Sequence, residues 1–217
     1  MNARHAIFDL DGVLLDTEPL YTQAIAAVAA RFGKVYDWTL KSQCIGRGTG
    51  EAARLIVDQL HLPLSPEALV AERDVLLRVL IATARPMPGA EAFTRALAAR
   101  GVPMAIATST EAALYAEKAA PHRAWLSLFQ AVVCGDDPRV ARSKPAPDIF
   151  LAAAAALGAA PGSCVVFEDS PFGVAGALAA GMAVVALPDP AMDRALYRGA
   201  HVVAAGFDEL SVTALGL

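Results

Sequence analysis

The sequence predicts an α/β fold, a doubly wound parallel sheet flanked by helices, with a helical domain inserted into it. Three observations lead there. Short apolar runs recur at 5–9, 103–108, 131–134, 164–168 and 183–187, with a weaker one near 201–203. Segments with helical periodicity separate most of these runs. One interval breaks the rhythm: about seventy residues between the first and second runs read as helix only, far more chain than a single strand-to-strand crossover uses.

Each element has its own justification. The strand runs are continuously apolar rather than alternating, as expected where helices cover both faces of a parallel sheet. Within the long interval, 18–32 is helical up to Gly33, and 49–60 is a second helix. Ser65-Pro66-Glu67 opens a third, running to about Ala84, with Ser at the N-cap and Pro in the first helical position. An inserted helical domain over 16–86 is therefore expected, leaving 1–15 and 87–217 to the α/β core. The crossings at 16–18 and 85–89 are its candidate hinges. Later helices at 90–100, 147–157 and 171–180 close at Gly101, Gly158 and Gly181. Alternation of this kind implies a parallel sheet.

Composition excludes several classes of function. The chain has 217 residues, 48 of them alanine, and is 56% hydrophobic with a net charge of −4. That is too apolar for disorder and lacks the positive surplus of a nucleic-acid binder. Mean hydropathy is +0.45, which raises the question of a membrane span. The longest uncharged stretch, 170–188, is broken by Pro171, Gly173, Gly176, Gly181 and Pro188, so no span is expected. Asp9 follows the N-terminus too soon to leave room for a signal peptide's apolar region. Cys44, Cys134 and Cys164 form no Cys-x-x-Cys pair and fit a reducing cytoplasm. A cytoplasmic monomer without membrane or nucleic-acid partners is expected.

Four clusters fall where predicted strands end or just beyond, the third leading into the helix after the run at 131–134. They are Phe8-Asp9-Leu10-Asp11-Gly12, Thr108-Ser109-Thr110, Ser143-Lys144-Pro145 and Glu168-Asp169-Ser170. In open α/β sheets the ligand crevice lies at that end, where strand order reverses. Several carboxylates brought together there repel one another unless a hard cation joins them, and oxygen ligands without His or Cys point to Mg²⁺. Lys144 and Thr108 suit a phosphate. The chemistry is then phosphoryl transfer to a carboxylate. An aspartate approaching a phosphate dianion meets repulsion of about 4 kcal/mol per charge pair at roughly 4 Å and an effective dielectric of about 20, which Mg²⁺ and Lys144 offset. Each cluster alone has a plain structural reading as a turn, a helix cap or a solvated loop. Their joint occurrence, each at a strand exit, carries the functional one.

These residues resemble a known family. Residues 8–18, Phe-Asp-Leu-Asp-Gly-Val-Leu-Leu-Asp-Thr-Glu, resemble motif I of the haloacid dehalogenase-like (HAD) hydrolase superfamily. Ile106-Ala107-Thr108-Ser109 resembles motif II, residues 143–150 motif III, and residues 166–174 motif IV. The resemblance implies a Rossmann-like core with a helical cap of the C1 type, as in the β-phosphoglucomutase-like subfamily. Segments 38–42, 87–90, 127–129 and 135–138 are most similar to the pseudouridine-5′-phosphatase and glycerol-3-phosphatase-like branch.

By position, the resemblance makes Asp9 the nucleophile that becomes an aspartyl phosphate. Asp11 is the general acid and then base, and its backbone carbonyl is a Mg²⁺ ligand. Asp9 and Asp169 are further ligands, with Glu168 a ligand or beside one. Thr108, the Ser109 amide and Lys144 hold the phosphate of a small phosphorylated metabolite. Asp11 favours a phosphatase or phosphomutase over a dehalogenase. Tyr21 stands where the mutase has a histidine, which counts against a phosphosugar mutase, the alternative activity. Selective contacts are expected from the cap, with Tyr21, Arg47 and Thr49 as substrate-binding candidates and Lys41 and Trp38 beside them.

Other features fit plainer roles. Gly46-Arg47-Gly48-Thr49-Gly50 lacks nucleotide-loop spacing and is either a cap loop over the substrate or a turn capped by Thr49. Asp136-Asp137-Pro138 forms a turn or orients Lys144. His5, His61, His122 and His201 are isolated, so no zinc site is expected.

Overall fold

The computed structural model describes residues 3–45 and 47–217; Gly46, in the glycine-rich segment, lies outside the described residues. Its main sheet is built from β1 (His5–Phe8), β4 (Met104–Ala107), β5 (Ala131–Val133), β6 (Cys164–Glu168), β7 (Ala183–Ala186) and β8 (Val202–Val203). All pair in parallel in the order β5-β4-β1-β6-β7-β8. From β1 the chain builds outward through β4 and β5, then returns to place β6 on the other side of β1. Strand order thus reverses at β1, which opens a crevice beyond its carboxyl end.

Alternation along each strand sends side chains to two cores. Phe8 and Phe167 stack on one face with centroids 4.4 Å apart, and Phe93 and Phe207 pack against the same group. Helices α5 (Ala90–Ala99) and α10 (Val212–Leu215) cover this face. Ile7, Val166 and Val184 point to the other face, beneath α8 (Asp148–Ala156) and α9 (Pro171–Ala179). Much of the alanine excess lies in α8, where small side chains let the helix approach the sheet and favour helix themselves.

Two short strands, β2 (Leu15–Asp16) and β3 (Arg85–Pro86), pair antiparallel, so the outgoing and returning chain run side by side. Between them lie α1 (Glu18–Ala30), α2 (Trp38–Cys44), α3 (Thr49–Leu60) and α4 (Pro66–Ile81). They bury their own cluster, including Ile25, Val28, Leu40, Ile56 and Leu69. The third expected helix stops at Ile81 rather than near Ala84, because Arg85 and Pro86 are drawn into the ribbon.

Helix α2 was not anticipated. The Asp37 carboxylate caps it by accepting from the Leu40 amide at 3.0 Å. Also unanticipated are α6 (Ala112–Ala119) and the short α7 (Arg123–Leu126) that follows β4. Leu114 of α6 packs with Ala24, Leu77 and Ile81, joining the sheet side to the four-helix unit. Among the described residues no helix is long and apolar enough to cross a membrane.

Candidate active site

Strand β1 ends at Phe8, so Asp9 is the first residue beyond it, with its amide donating to the Phe167 carbonyl at 3.0 Å. Lys144 reaches it from the loop after β5. The Lys144 ammonium donates to Asp9 Oδ1 at 2.6 Å and to Glu168 Oε1 at 2.5 Å. All three side chains are buried. Burial pushes the Asp9 carboxyl up to about 7, with Lys144 opposing the rise and Glu168 and Asp11 adding to it. Burial works to lower the Lys144 pKa, but the two carboxylates outweigh it and hold the ammonium charged.

Glu168, the last residue of β6, has both oxygens occupied. Its Oε2 accepts from the Ser170 amide and hydroxyl, each at 2.9 Å, while Ser170 Oγ caps α9 by accepting from the Gly173 amide. A methyl group on Gly173 would overlap the Glu168 carboxylate. Helix propensity alone would favour alanine at Gly173 by about 1 kcal/mol. Gly173→Ala is nevertheless expected to lower unfolding free energy by about 1–3 kcal/mol through the forced shift of Glu168, as measured by denaturant titration. A gain in stability would contradict this packing.

Asp11 sits in a different cradle. Its Oδ1 accepts from the Thr17 hydroxyl and the Lys118 ammonium, each at 2.5 Å, and its Oδ2 from the Thr110 hydroxyl at 2.8 Å. Burial favours its neutral form, yet the Lys118 charge and these hydrogen bonds hold its pKa below the usual carboxylate range. Lys118 lies outside the four sequence clusters, and Thr110 lies within one but has no role of its own there; the four-residue spacing of Leu114 and Lys118 fits one helix face and names no partner.

Asp169 lies against Gly12, whose φ of +75° places it in the left-handed region and where any Cβ would overlap the carboxylate. Tyr197 holds the Asp169 backbone by donating to its carbonyl at 2.7 Å. Among the described residues the Asp169 carboxylate has no ion pair. Burial, then the charges of Glu168, Asp9 and Glu18, raise its pKa well above the ordinary value. Such a carboxylate is one a bound cation would restore to its charged form.

Asp9, Asp11, Ser109, Thr110, Lys144 and Asp169 line one side of a cavity of about 290 Å³, with Tyr21, Lys41, Arg47, Thr49 and Arg73 on the other. Arg47 pairs with Glu51, and its guanidinium carbon stands 5.2 Å from the centre of the Phe172 ring on α9. Tyr21 carries Lys118 over its ring at 4.9 Å and Arg73 at 5.5 Å. Thr108 is not among the lining residues. It is wholly buried, and its hydroxyl accepts from the Thr110 amide at 3.1 Å, leaving Ser109 and Thr110 at the cavity.

Neither Asp136 nor Asp137 touches Lys144. Asp136 accepts from the Ala112 amide at the start of α6, and Asp137 pairs with Arg139. Among the described residues no three His, Cys, Asp or Glu side chains converge as a ready metal cage. Glu168 is turned to Lys144 and Ser170, and both oxygens of Asp11 are bonded. The carboxylates of Asp9 and Asp169, which line the crevice, suit a hard cation that keeps waters and shares a phosphate.

A family model for haloacid dehalogenase-like hydrolases matches residues 3–181. A probable pseudouridine-5′-phosphatase of Drosophila melanogaster is 42% identical over 216 residues, covering 98% of this chain and 94% of that protein. The (DL)-glycerol-3-phosphatase 2 of Arabidopsis thaliana is 45% identical over 194 residues, covering 87% and 81%. The crystal structure of a β-phosphoglucomutase from Clostridium difficile shares the fold, with a TM-score of 0.81 at 21% identity over 98% of this chain and 95% of that one. The chain belongs to the haloacid dehalogenase-like hydrolase family and is a phosphatase of that family.

Proposed function

We propose that the chain is a Mg²⁺-dependent phosphomonoesterase that works through an aspartyl phosphate on Asp9. One observation carries this reading: Asp9 is clamped by Lys144 on the cavity wall, with Asp11 two residues away and bordering the same space. In the first step an Asp9 oxygen attacks phosphorus and the ester P–O bond breaks. The departing oxygen takes a proton from Asp11, which acquires it from the incoming phosphate monoanion, because Lys118, Thr17 and Thr110 favour the ionised carboxylate before substrate binds. In the second step water gives a proton to Asp11 as its oxygen attacks phosphorus, and the P–O bond to Asp9 breaks to restore the carboxylate. Mg²⁺, held by Asp9, Asp169 and the Asp11 carbonyl, supplies charge neutralisation for the phosphoryl oxygens. Ser109 and Lys144 hold the phosphate, and Glu168 serves by fixing Lys144. Thr108 supports the turn that presents Ser109 and Thr110.

The substrate is a small sugar, polyol or nucleotide-type phosphomonoester. The cavity volume and the names of the two phosphatase relatives support that class. The four-helix unit, 16–86, is the cap, hinged at the β2–β3 ribbon, and Tyr21, Arg47 and Thr49 contact the leaving group. Tyr21, flanked by two cations, offers no imidazole at its position, which favours hydrolysis over mutase chemistry. The three free cysteines support a reducing cytoplasm, and we read the enzyme as a monomer.

Phosphate release from pseudouridine 5′-phosphate, glycerol 3-phosphate and hexose phosphates tests the reading. Activity is expected with Mg²⁺, lost on chelation and restored by re-addition, with inorganic phosphate as product. Undiminished activity after chelation, or an isomer released from hexose 1-phosphate, contradicts it.

A further inference from the structure

Helix α6 carries a lysine where an apolar side chain would pack. Leu114, one turn before it, sits in the seam with Ala24, Leu77 and Ile81, and the same face takes Lys118 inward until it is fully buried. Removing a charge from water is costly unless the charge is used. Here the ammonium meets Asp11 Oδ1 at 2.5 Å and Thr110 Oγ1 at 2.8 Å, and lies 4.9 Å from the ring centre of Tyr21 on α1. Thr110 in turn donates to the second Asp11 oxygen, and Thr17 to the first. One buried cation therefore touches the carboxylate assigned to proton transfer, the hydroxyl that braces it, and an aromatic ring of the helical unit.

We propose that Lys118 is a positioning residue for Asp11, holding its carboxylate at the cavity edge and tying that position to Tyr21 of the helical unit. The proposal rests on Asp11 acting as acid and base in the reaction above. Lys118 does not line the cavity, so it acts through Asp11 rather than on the substrate. Thr17 and Thr110 alone would leave the carboxylate two neutral donors and no cation.

The test uses leaving groups that differ in their need for a proton. Glycerol 3-phosphate leaves as an alkoxide and needs one; p-nitrophenyl phosphate leaves as a stable phenolate and does not. In Lys118→Met, kcat for glycerol 3-phosphate should fall about 100-fold, the scale of a misplaced general acid, with KM shifted less than about 3-fold. The first-turnover burst of nitrophenolate should stay within about 3-fold of the parent, while later turnovers slow because Asp11 no longer activates water. Lys118→Arg, which keeps the charge, should lie between the two, and it carries the test should Lys118→Met not fold.

Equal losses in the burst and with the alkyl ester, or no loss in either, overturn the proposal. Asp9→Asn and Asp11→Asn run in parallel separate the two levels. An active Asp9→Asn protein removes the underlying reading and the proposal with it. If Asp9→Asn is inactive and Asp11→Asn shows the leaving-group split, a Lys118→Met protein that follows the parent overturns the Lys118 role alone.

Discussion

The Asp9→Asn protein should fold and lose phosphate release by about 10⁵-fold or more, the scale seen when a nucleophile is removed. Asparagine keeps the size of the side chain, and Lys144 keeps Glu168 as its counter-ion at 2.5 Å, so the buried site retains a paired charge. Neither Glu168 nor Asp11 stands in for it. Glu168 is fully engaged by Lys144 and Ser170, and Asp11 by Lys118 and two threonines. Circular dichroism and phosphate release on one preparation check both halves. Residual activity near the parent's would mean that phosphorus is attacked by some other group.

Lys144→Met should damage both stability and turnover. The ammonium is the one cation between two buried carboxylates, at 2.6 and 2.5 Å. Its loss leaves them facing each other, at a cost of about 3–5 kcal/mol for breaking a buried ion pair. At about 2–4 °C per kcal/mol for a chain of this size, that lowers Tm by roughly 10 °C. Adding Glu168→Gln to Lys144→Met should recover part of this, because it removes one of the two stranded charges. A thermodynamic cycle over the two positions reads the coupling directly. A Lys144→Met protein within about 1 kcal/mol of the parent would mean that the site is far wetter than its burial implies. Turnover should fail in either background, since the phosphate then lacks its buried cation.

The parts of the fold and site that could be read in the sequence were those written into local pattern. The five stronger apolar runs mark β1, β4, β5, β6 and β7 to within a residue at each end, because strands covered on both faces need continuous apolar sequence. The clusters holding Asp9 and Asp169 were visible because each directly follows a strand, and the one holding Lys144 because it leads into the helix after β5. What pattern does not carry is the partner across the fold. Lys118 is 107 residues from Asp11, and nothing near either residue in sequence specifies the pairing. Thr108 and Thr110 are indistinguishable by composition, and only the turn geometry sends one hydroxyl to a backbone amide and the other to the cavity side. Asp136-Asp137-Pro138 reads as a turn or a companion for Lys144; it forms the turn, and the Asp136 carboxylate caps α6, a helix that periodicity does not reveal. Glu168 reads in the sequence as a metal ligand or a neighbour of one beside Asp169; the fold seats its carboxylate on Lys144 and Ser170 and sets that of Asp169 against Gly12, with both residues bordering the cavity.

The most direct test of the account is covalent. The Asp11→Asn protein, mixed with p-nitrophenyl phosphate and Mg²⁺, should release about one equivalent of nitrophenolate per active site, then stall for lack of a base to activate water. Acid quench, digestion and mass spectrometry should then locate a phosphoryl group on the peptide containing Asp9, removed by hydroxylamine as an acyl phosphate is. Release of nitrophenolate with no adduct on Asp9, or with the adduct on another residue, would contradict the aspartyl-phosphate reading.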